Sequence, residues 1–462
     1  MKQARSFFYI FVGLAFIFSC QSPNSGERIN EGALVITNVN IIDVRSGEIS
    51  QGHVVIDSSK IHKILSLNTE LDPSNGTLID GTDKYLMPGL AEMHAHVPSL
   101  PWNDPKMEET LFLYLSNGVT TIRGMLGHPY HLELREKANK GEIISPRIYT
   151  SSPSISGSTV TNPEAAQKMV RAYAEEGYDF LKIHPGLRLH VFDEVVKTAN
   201  EVGIPFAGHV STLVGVRHAL ESKYATIDHV DSYLEGLVPD SEDVNPTENG
   251  FFGYNFTLLA DTSMIADLVN KSRENNVWVV PTQSLFDRWF SPTDPELLAQ
   301  EEEMQYMSPA TINNWIESKK NLISAPEYDS STWAKFNAIR FQLIKALHEE
   351  GQGLLLGSDA PQVFNVPGFS IHHELDGMIN AGLKPLEAIQ TGTINPATFF
   401  DESFGEVKEG YYADLILLDD NPLENIDNLK NPVGIMARGQ WMDRATIDEK
   451  LKEIAKVYST EQ

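Results

Sequence analysis

The 462-residue sequence has a single cysteine, Cys20, which excludes a disulfide framework within the chain and any site built on paired thiolates. Long hydrophobic runs are also missing. The stretch Phe7–Phe18 is about a dozen apolar residues, too short to span a bilayer comfortably. Basic residues are scarce: 36 Lys and Arg stand against 63 Asp and Glu, a formal net charge of -27. That balance argues for solubility and against nucleic acid or another polyanion as partner. No glycine-rich phosphate loop follows an early strand, which counts against an open doubly wound sheet. What remains is a chain long enough for one large domain plus a small one, or for two to three domains of ordinary size.

Lys2 and Arg5 precede the apolar stretch, and Ser19-Cys20 and the polar Gln21–Gly26 follow it. This is the pattern of a secretory signal, and it resembles a bacterial lipoprotein signal. The resemblance implies a signal peptide over residues 1–20, lipidation at Cys20 and a polar tether over 21–32. It also implies export and a lipid anchor in a bacterial membrane, the outer membrane foremost, on its periplasmic or surface side. Phe18 departs from the pattern, being bulkier than the residue usual two before the cysteine; a plain signal peptide or an uncleaved anchor is the alternative. With Cys20 lipidated, thiol catalysis by the folded part is excluded.

From Ala33 onward, short alternating runs such as Leu34-Val35-Ile36 and His53-Val54-Val55-Ile56 predict antiparallel strands. A matching set returns in Ala413–Leu418 and Pro432–Gly439. Neither set is large enough to fold alone, so residues 33–85 and 401–450 are expected to form one small β-sandwich from both chain ends. Between them strand and helix alternate. Leu86–Val97, Val119–Arg123, Arg147–Thr150, Phe180–Ile183, Ile204–Ala207, Ala225–Ile227, Val277–Val280 and Leu354–Leu356 give eight candidate strands. The best-marked helix has Asn162 as its cap, Pro163 in its first turn, Ala166, Met169, Val170 and Tyr173 on one face, and Gly177 at its end. The fold class expected for residues 86–400 is α/β, a (β/α)8 TIM barrel with its active site at the C-terminal strand ends. Two excursions, Ser232–Leu259 and Ser284–Ser331, exceed what a repeat needs; they either cover the barrel mouth or decorate its wall.

His94 and His96 share one face of the first strand, because side chains at i and i+2 point the same way. Two neutral imidazoles so placed can bind a divalent metal. Lys182 lies in the fourth strand, His209 and His229 end the fifth and sixth, and Asp359 follows the eighth. All of them converge on one mouth.

Met87-Pro88-Gly89-Leu90-Ala91-Glu92-Met93-His94-Ala95-His96, Gly118-Val119-Thr120-Thr121, Gly208-His209, Asp228-His229, Gly357-Ser358-Asp359-Ala360-Pro361, Asn395-Pro396-Ala397 and Ala413–Leu417 occur in this order. Together they resemble the amidohydrolase superfamily, and within it the imidazolonepropionase-like branch that includes dipeptidases. The resemblance implies two divalent metal ions, zinc foremost with Mn, Co or Fe open. By it, His94, His96 and Asp359 would hold the more buried ion and His209 and His229 the outer one, with N-carboxylated Lys182 as the bridge. The alternative is a structural Lys182 and a single metal. Asp359 would be the catalytic acid/base for a metal-bridging hydroxide. The implied reaction is cleavage of an amide bond in a dipeptide or N-acyl amino acid. A lactone, cyclic amide or phosphoester at the same site is the second reading, and a non-catalytic binding protein the third. Arg123, His184 and Tyr233 are candidate substrate contacts, each with a structural alternative. His128 and His131 are expected on a solvated helix, and His372 in a structural role. A homo-oligomer is compatible with the sequence.

Overall fold

The computed structural model describes residues 27–72 and 76–459, so the signal peptide, Cys20 and the start of the tether lie outside the described residues. Leu90–Ala95, Val119–Gly124, Arg147–Ile155, Phe180–Ile183, Phe206–Gly208, Thr226–Asp228 and Trp278–Val280 form a parallel sheet, each strand bonded to the next in chain order. The expected eighth strand is reduced to one parallel bridge between Leu354 and Val279. Glycines at 353 and 357 flank it, and Leu356 N donates instead to Thr391 O at 2.9 Å. The seam is nevertheless drawn together: Met93 N donates to Leu356 O (2.7 Å), Asp359 N to His94 O (3.0 Å) and His96 N to Ala360 O (2.8 Å). The result is a nearly closed barrel that presents strand ends 90–95 and 354–360 side by side.

Helices return the chain between strands. Pro163–Glu176 starts where the Asn162 side chain accepts Ala165 N–H at 2.9 Å, buries Ala166 and Val170, and stops at left-handed Gly177 (φ 86). Leu189–Val202 buries Val191, Phe192, Val195 and Ala199 and ends at Gly203 (φ 75). Burial of these stripes fixes each helix against the sheet and leaves the loops after the strands to build the mouth.

The two chain ends share one eight-stranded sheet. Leu34–Ile42, Ile49–Asp57, Lys60–Ser66, Thr77–Asp80 and Tyr85–Pro88 come from the front, and Leu415–Leu418, Gly434–Ala437 and Gln440–Asp443 from the back. Ile36, Val54, Ile61, Leu86, Leu415 and Met436 pack into a common core, so the two chain ends share one interior. The apolar run from Tyr85 to Val97 is therefore two strands. Tyr85–Pro88 pairs with Leu415–Leu418 in this sheet, and after Gly89 the chain crosses into the barrel. The tether also ends sooner than expected: Glu27–Arg28 pairs with Leu71–Asp72, and Ile29 is buried. The helix Arg444–Ser459 closes the described chain, running past the expected boundary at 450. Among the described residues no helix is long and apolar enough to cross a membrane.

Candidate metal centre

The strand-end positions bring the expected ligands together. His94, His96 and Asp359 each offer a ligand atom within 4.8 Å of the others. His96 Nε2 lies 2.7 Å and His94 Nε2 3.5 Å from Asp359 Oδ1. Lys182, fully buried, carries its Nζ to 3.5 Å from His94 Nε2. The rings of His94 and His229 are 4.6 Å apart, and those of His209 and His229 4.5 Å. His229 (φ 66) and Asp359 (φ 63) both adopt left-handed backbone conformations. Such strain outside glycine persists where surrounding structure enforces it, and it gathers at functional sites.

Three of these imidazoles have a side-chain oxygen close to Nδ1. His94 Nδ1 lies 3.0 Å from Asp228 Oδ2, His209 Nδ1 2.9 Å from Asp231 Oδ2, and His229 Nδ1 2.8 Å from Thr282 Oγ1. A partner on Nδ1 fixes the ring and leaves Nε2 as the free ligand atom. Asp228, Asp231 and Thr282 carry no periodic signal of their own in the sequence; the first two could have been found as carboxylates one residue before and two residues after His229.

Burial dominates the electrostatics. It holds His94 and His229 well below the usual histidine range and lowers His209 to about 3, so all three are neutral and able to ligate. Burial also lowers Lys182, against the pull of Asp228 and Asp359, which favours the uncharged amine that a carbamate requires. Nitrogen and oxygen donors without thiolate fit a divalent cation of the Zn, Mn, Co or Fe type. His229 Nε2, buried without a hydrogen-bond partner, is an acceptor that such a cation would satisfy.

The candidate substrate contacts fare differently. His184 stays at the site, its ring 5.1 Å from that of His209 and its Nδ1 2.6 Å from Ser154 Oγ. Arg123 does not face the mouth. It is fully buried, with Nε donating to Met93 O (2.7 Å) and Nη2 to Thr226 Oγ1 (3.0 Å) and Asp228 Oδ1 (3.2 Å). Tyr233 is likewise fully buried in the core against the barrel wall. The causes differ: Arg123 meets the buried Asp228 across the barrel, and Tyr233, in the turn beyond the strand Thr226–Asp228, packs into the apolar core. His131 is also buried, its Nε2 2.9 Å from Pro98 O, rather than solvated. His372 Nε2 lies 3.2 Å from Asn117 Oδ1, buried and structural.

Behind these side chains lies a buried polar frame. Glu92 Oε1 accepts the backbone N–H of His94 and Ser358, both at 2.9 Å, and its Oε2 the Ser358 hydroxyl at 2.6 Å. Arg340 donates to His229 O at 2.8 Å and Pro281 O at 3.0 Å. Of the two excursions, Ser232–Leu259 reaches the histidine cluster: Phe252 lies 5.4 Å from the His229 ring. The other supports it through Phe286, Trp289 and Phe290. A second group, Glu301, Glu303 and His373, has suitable spacing for a cation, but Arg288 already pairs with both glutamates.

A model described as the amidohydrolase family matches residues 85–442. Ochratoxinase of Aspergillus niger is 21% identical over 468 aligned residues, covering 89% of this chain and 82% of that protein. Among solved structures, a bottromycin amidohydrolase superposes with a TM-score of 0.70 at 21% identity, over 92% of this chain and 90% of the other. A Xaa-Pro dipeptidase with methionine bound in its active site gives 0.61 at 21% identity, over 89% and 100%. At these identities the structural likeness establishes the shared fold.

Proposed function

Because the chain belongs to the amidohydrolase family, we propose that it is a metal-dependent hydrolase that cleaves an amide bond in a dipeptide or N-acyl amino acid. The observation that carries this reading is the meeting of His94, His96 and Asp359 within 4.8 Å, with Lys182, His209 and His229 around them. His94, His96 and Asp359 would hold one ion and His209 and His229 another, with carboxylated Lys182 between. Ions bound there would polarise the scissile carbonyl and lower the pKa of a water molecule. The protein's own part is positioning and proton transfer. Asp228, Asp231 and Thr282 hold three imidazoles with Nε2 free, and burial keeps them neutral. Asp359, held by its left-handed backbone at the mouth, takes a proton on its carboxylate and returns it to the leaving nitrogen. The likeness to a Xaa-Pro dipeptidase supports a dipeptide substrate. Lys2, Arg5 and the apolar run before Cys20 support export and a lipid anchor, which suits a scavenger of peptides arriving from outside the cell.

The test is metal content and hydrolysis of a dipeptide and N-acyl amino acid panel, using the chain without residues 1–20 and its Lys182→Ala variant. About two ions per chain, lost together with amide cleavage in the variant, support a bridged site. A wild type with one ion and a variant equally loaded and active would rule out the bridge.

A further inference from the structure

Phe252 stands in the left-handed region (φ 49, ψ 44), between Gly250 (φ 72) and Gly253 (φ 85). For a bulky residue this conformation is a true outlier and persists only under constraint. The constraint is visible. Asn255 N donates to Asn249 O at 3.0 Å, Asn249 Nδ2 to Glu235 Oε1 at 2.6 Å, and Tyr254 Oη to Asp329 O at 2.8 Å. Gly253 (φ 85) adopts a backbone that other residues resist, and a Cβ there would push aside the Glu235 carboxylate, 2.7 Å away.

The turn delivers the Phe252 ring to the outer pair of histidines, 5.9 Å from His209 and 5.4 Å from His229 between centroids. Phe251 backs it at 4.9 Å and Phe286 at 5.1 Å. Phe251 is itself wedged against Trp289 (5.3 Å) and Phe290 (4.8 Å) from the second excursion. Phe252 remains half-buried although its ring lies against the two histidines. Phe251 is buried to the same degree and packs on the same core without a left-handed backbone; the strained turn is what brings the Phe252 ring to the histidines.

We propose that Phe252 is a specificity-determining residue: an aromatic wall beside His209 and His229 that selects amides carrying an aromatic group next to the scissile bond over those carrying a small alkyl group. This rests on the hydrolase reading above. Offset or edge-on ring contact adds to the apolar area that the substrate buries, and an apolar pocket of this kind discriminates by roughly tenfold or more.

The test compares the full-length, metal-loaded wild type with Phe252→Leu and Phe252→Ala. Matched pairs of amides carry phenyl or methyl on the acyl side, and a second set carries them on the amine side. The ratio of kcat/KM for phenyl over methyl should fall about tenfold in the alanine variant, with leucine between, while metal content stays unchanged. Calorimetric binding of phenylphosphonate against methylphosphonate should lose its preference in the same order. Unchanged ratios in both assays overturn the proposal, as does a fall in metal content without a change in preference, which would make Phe252 a mere shield of the histidines. A wild type that cleaves none of these amides overturns the hydrolase reading instead, and the calorimetric preference then decides the role of Phe252 on its own.

Discussion

Asp228 Oδ2 lies 3.0 Å from His94 Nδ1 inside the barrel, and Arg123 Nη2 holds the other oxygen of the same carboxylate at 3.2 Å. All three side chains are essentially fully buried, so the geometry is rigid and unscreened by water. The carboxylate sits beside His94 Nδ1, while Nε2 lies 3.5 Å from both Lys182 Nζ and Asp359 Oδ1. Asp228→Asn keeps the shape but removes the charge beside both Arg123 and His94. Metal affinity should drop about 10- to 100-fold, the usual effect of losing such a partner. Competition with a chelator of known affinity measures it; an unchanged affinity would mean that the orientation of His94 is set elsewhere.

The buried Glu92 predicts a pH dependence of stability. Burial pushes its carboxyl up from 4.5 to about 8, although hydrogen bonds from Ser358 and His94 pull the other way. Between those values the unfolded chain has released the proton and the folded chain keeps it. Stability therefore falls as pH rises through the window, by up to about 1.4 kcal/mol per pH unit. Glu374 and Asp231, both raised to about 7 by burial, add slope of the same sign. In thermal melts of the metal-free protein, Glu92→Gln should flatten the decline partially. Its amide oxygen still accepts the two backbone N–H groups, and its NH2 faces the Ser358 hydroxyl. Parallel curves for variant and wild type would remove Glu92 as a source.

The outline of the fold and the convergence of His94, His96, Lys182, His209, His229 and Asp359 on one mouth are legible in the sequence for the same reason. Strand ends in a parallel barrel all point to one mouth, so residues placed after apolar β-branched runs must converge. Features that depend on tertiary partners are not legible. Leu354–Leu356 reads as a strand, yet its backbone groups go to Val279, Met93 and Thr391 as a single bridge and two isolated bonds. Arg123 at a strand end reads as a substrate grip, but nothing local reveals that Asp228 lies across the barrel interior. Phe252 is invisible because its placement depends on a left-handed turn braced by residues far away in sequence, among them Asp329.

Arg340 joins the helix Ser330–Glu350 to the loop that carries His229. Its guanidinium donates to His229 O, Pro281 O and Gln283 Oε1 at 2.8, 3.0 and 3.0 Å and lies 3.4 Å over the Phe286 ring. Arg340→Met fills similar space but leaves those acceptors buried and unmet, a loss of roughly 2–4 kcal/mol. Urea unfolding should show a lower midpoint with an unchanged slope. A midpoint equal to that of the wild type would mean that water replaces the guanidinium.

Gly89 marks the crossing between the two sheets, and the crossing needs the absence of a side chain rather than an unusual backbone angle. A Cβ there would sit 2.1 Å from Thr120 Oγ1 and 2.4 Å from its Cγ2, closer than any real contact. Gly89 N donates to Asp414 O and Leu90 N to Gly118 O, so the backbone is pinned on both sides and cannot back away. Thr120, on the adjoining strand Val119–Gly124, must move instead. Gly89→Ala should cost about 1–3 kcal/mol, the range for overpacking a tight core. Thr120→Ala deletes the two nearest atoms, so the double variant should recover part of the loss, visible as a favourable coupling in a double-mutant cycle. Because His94 and His96 hang from the strand that starts at Leu90, a shift at the crossing also tilts both imidazoles. Metal affinity should therefore fall with stability in Gly89→Ala and return with it in the double variant. If stability falls and affinity does not, the seam absorbs the strain before it reaches His94.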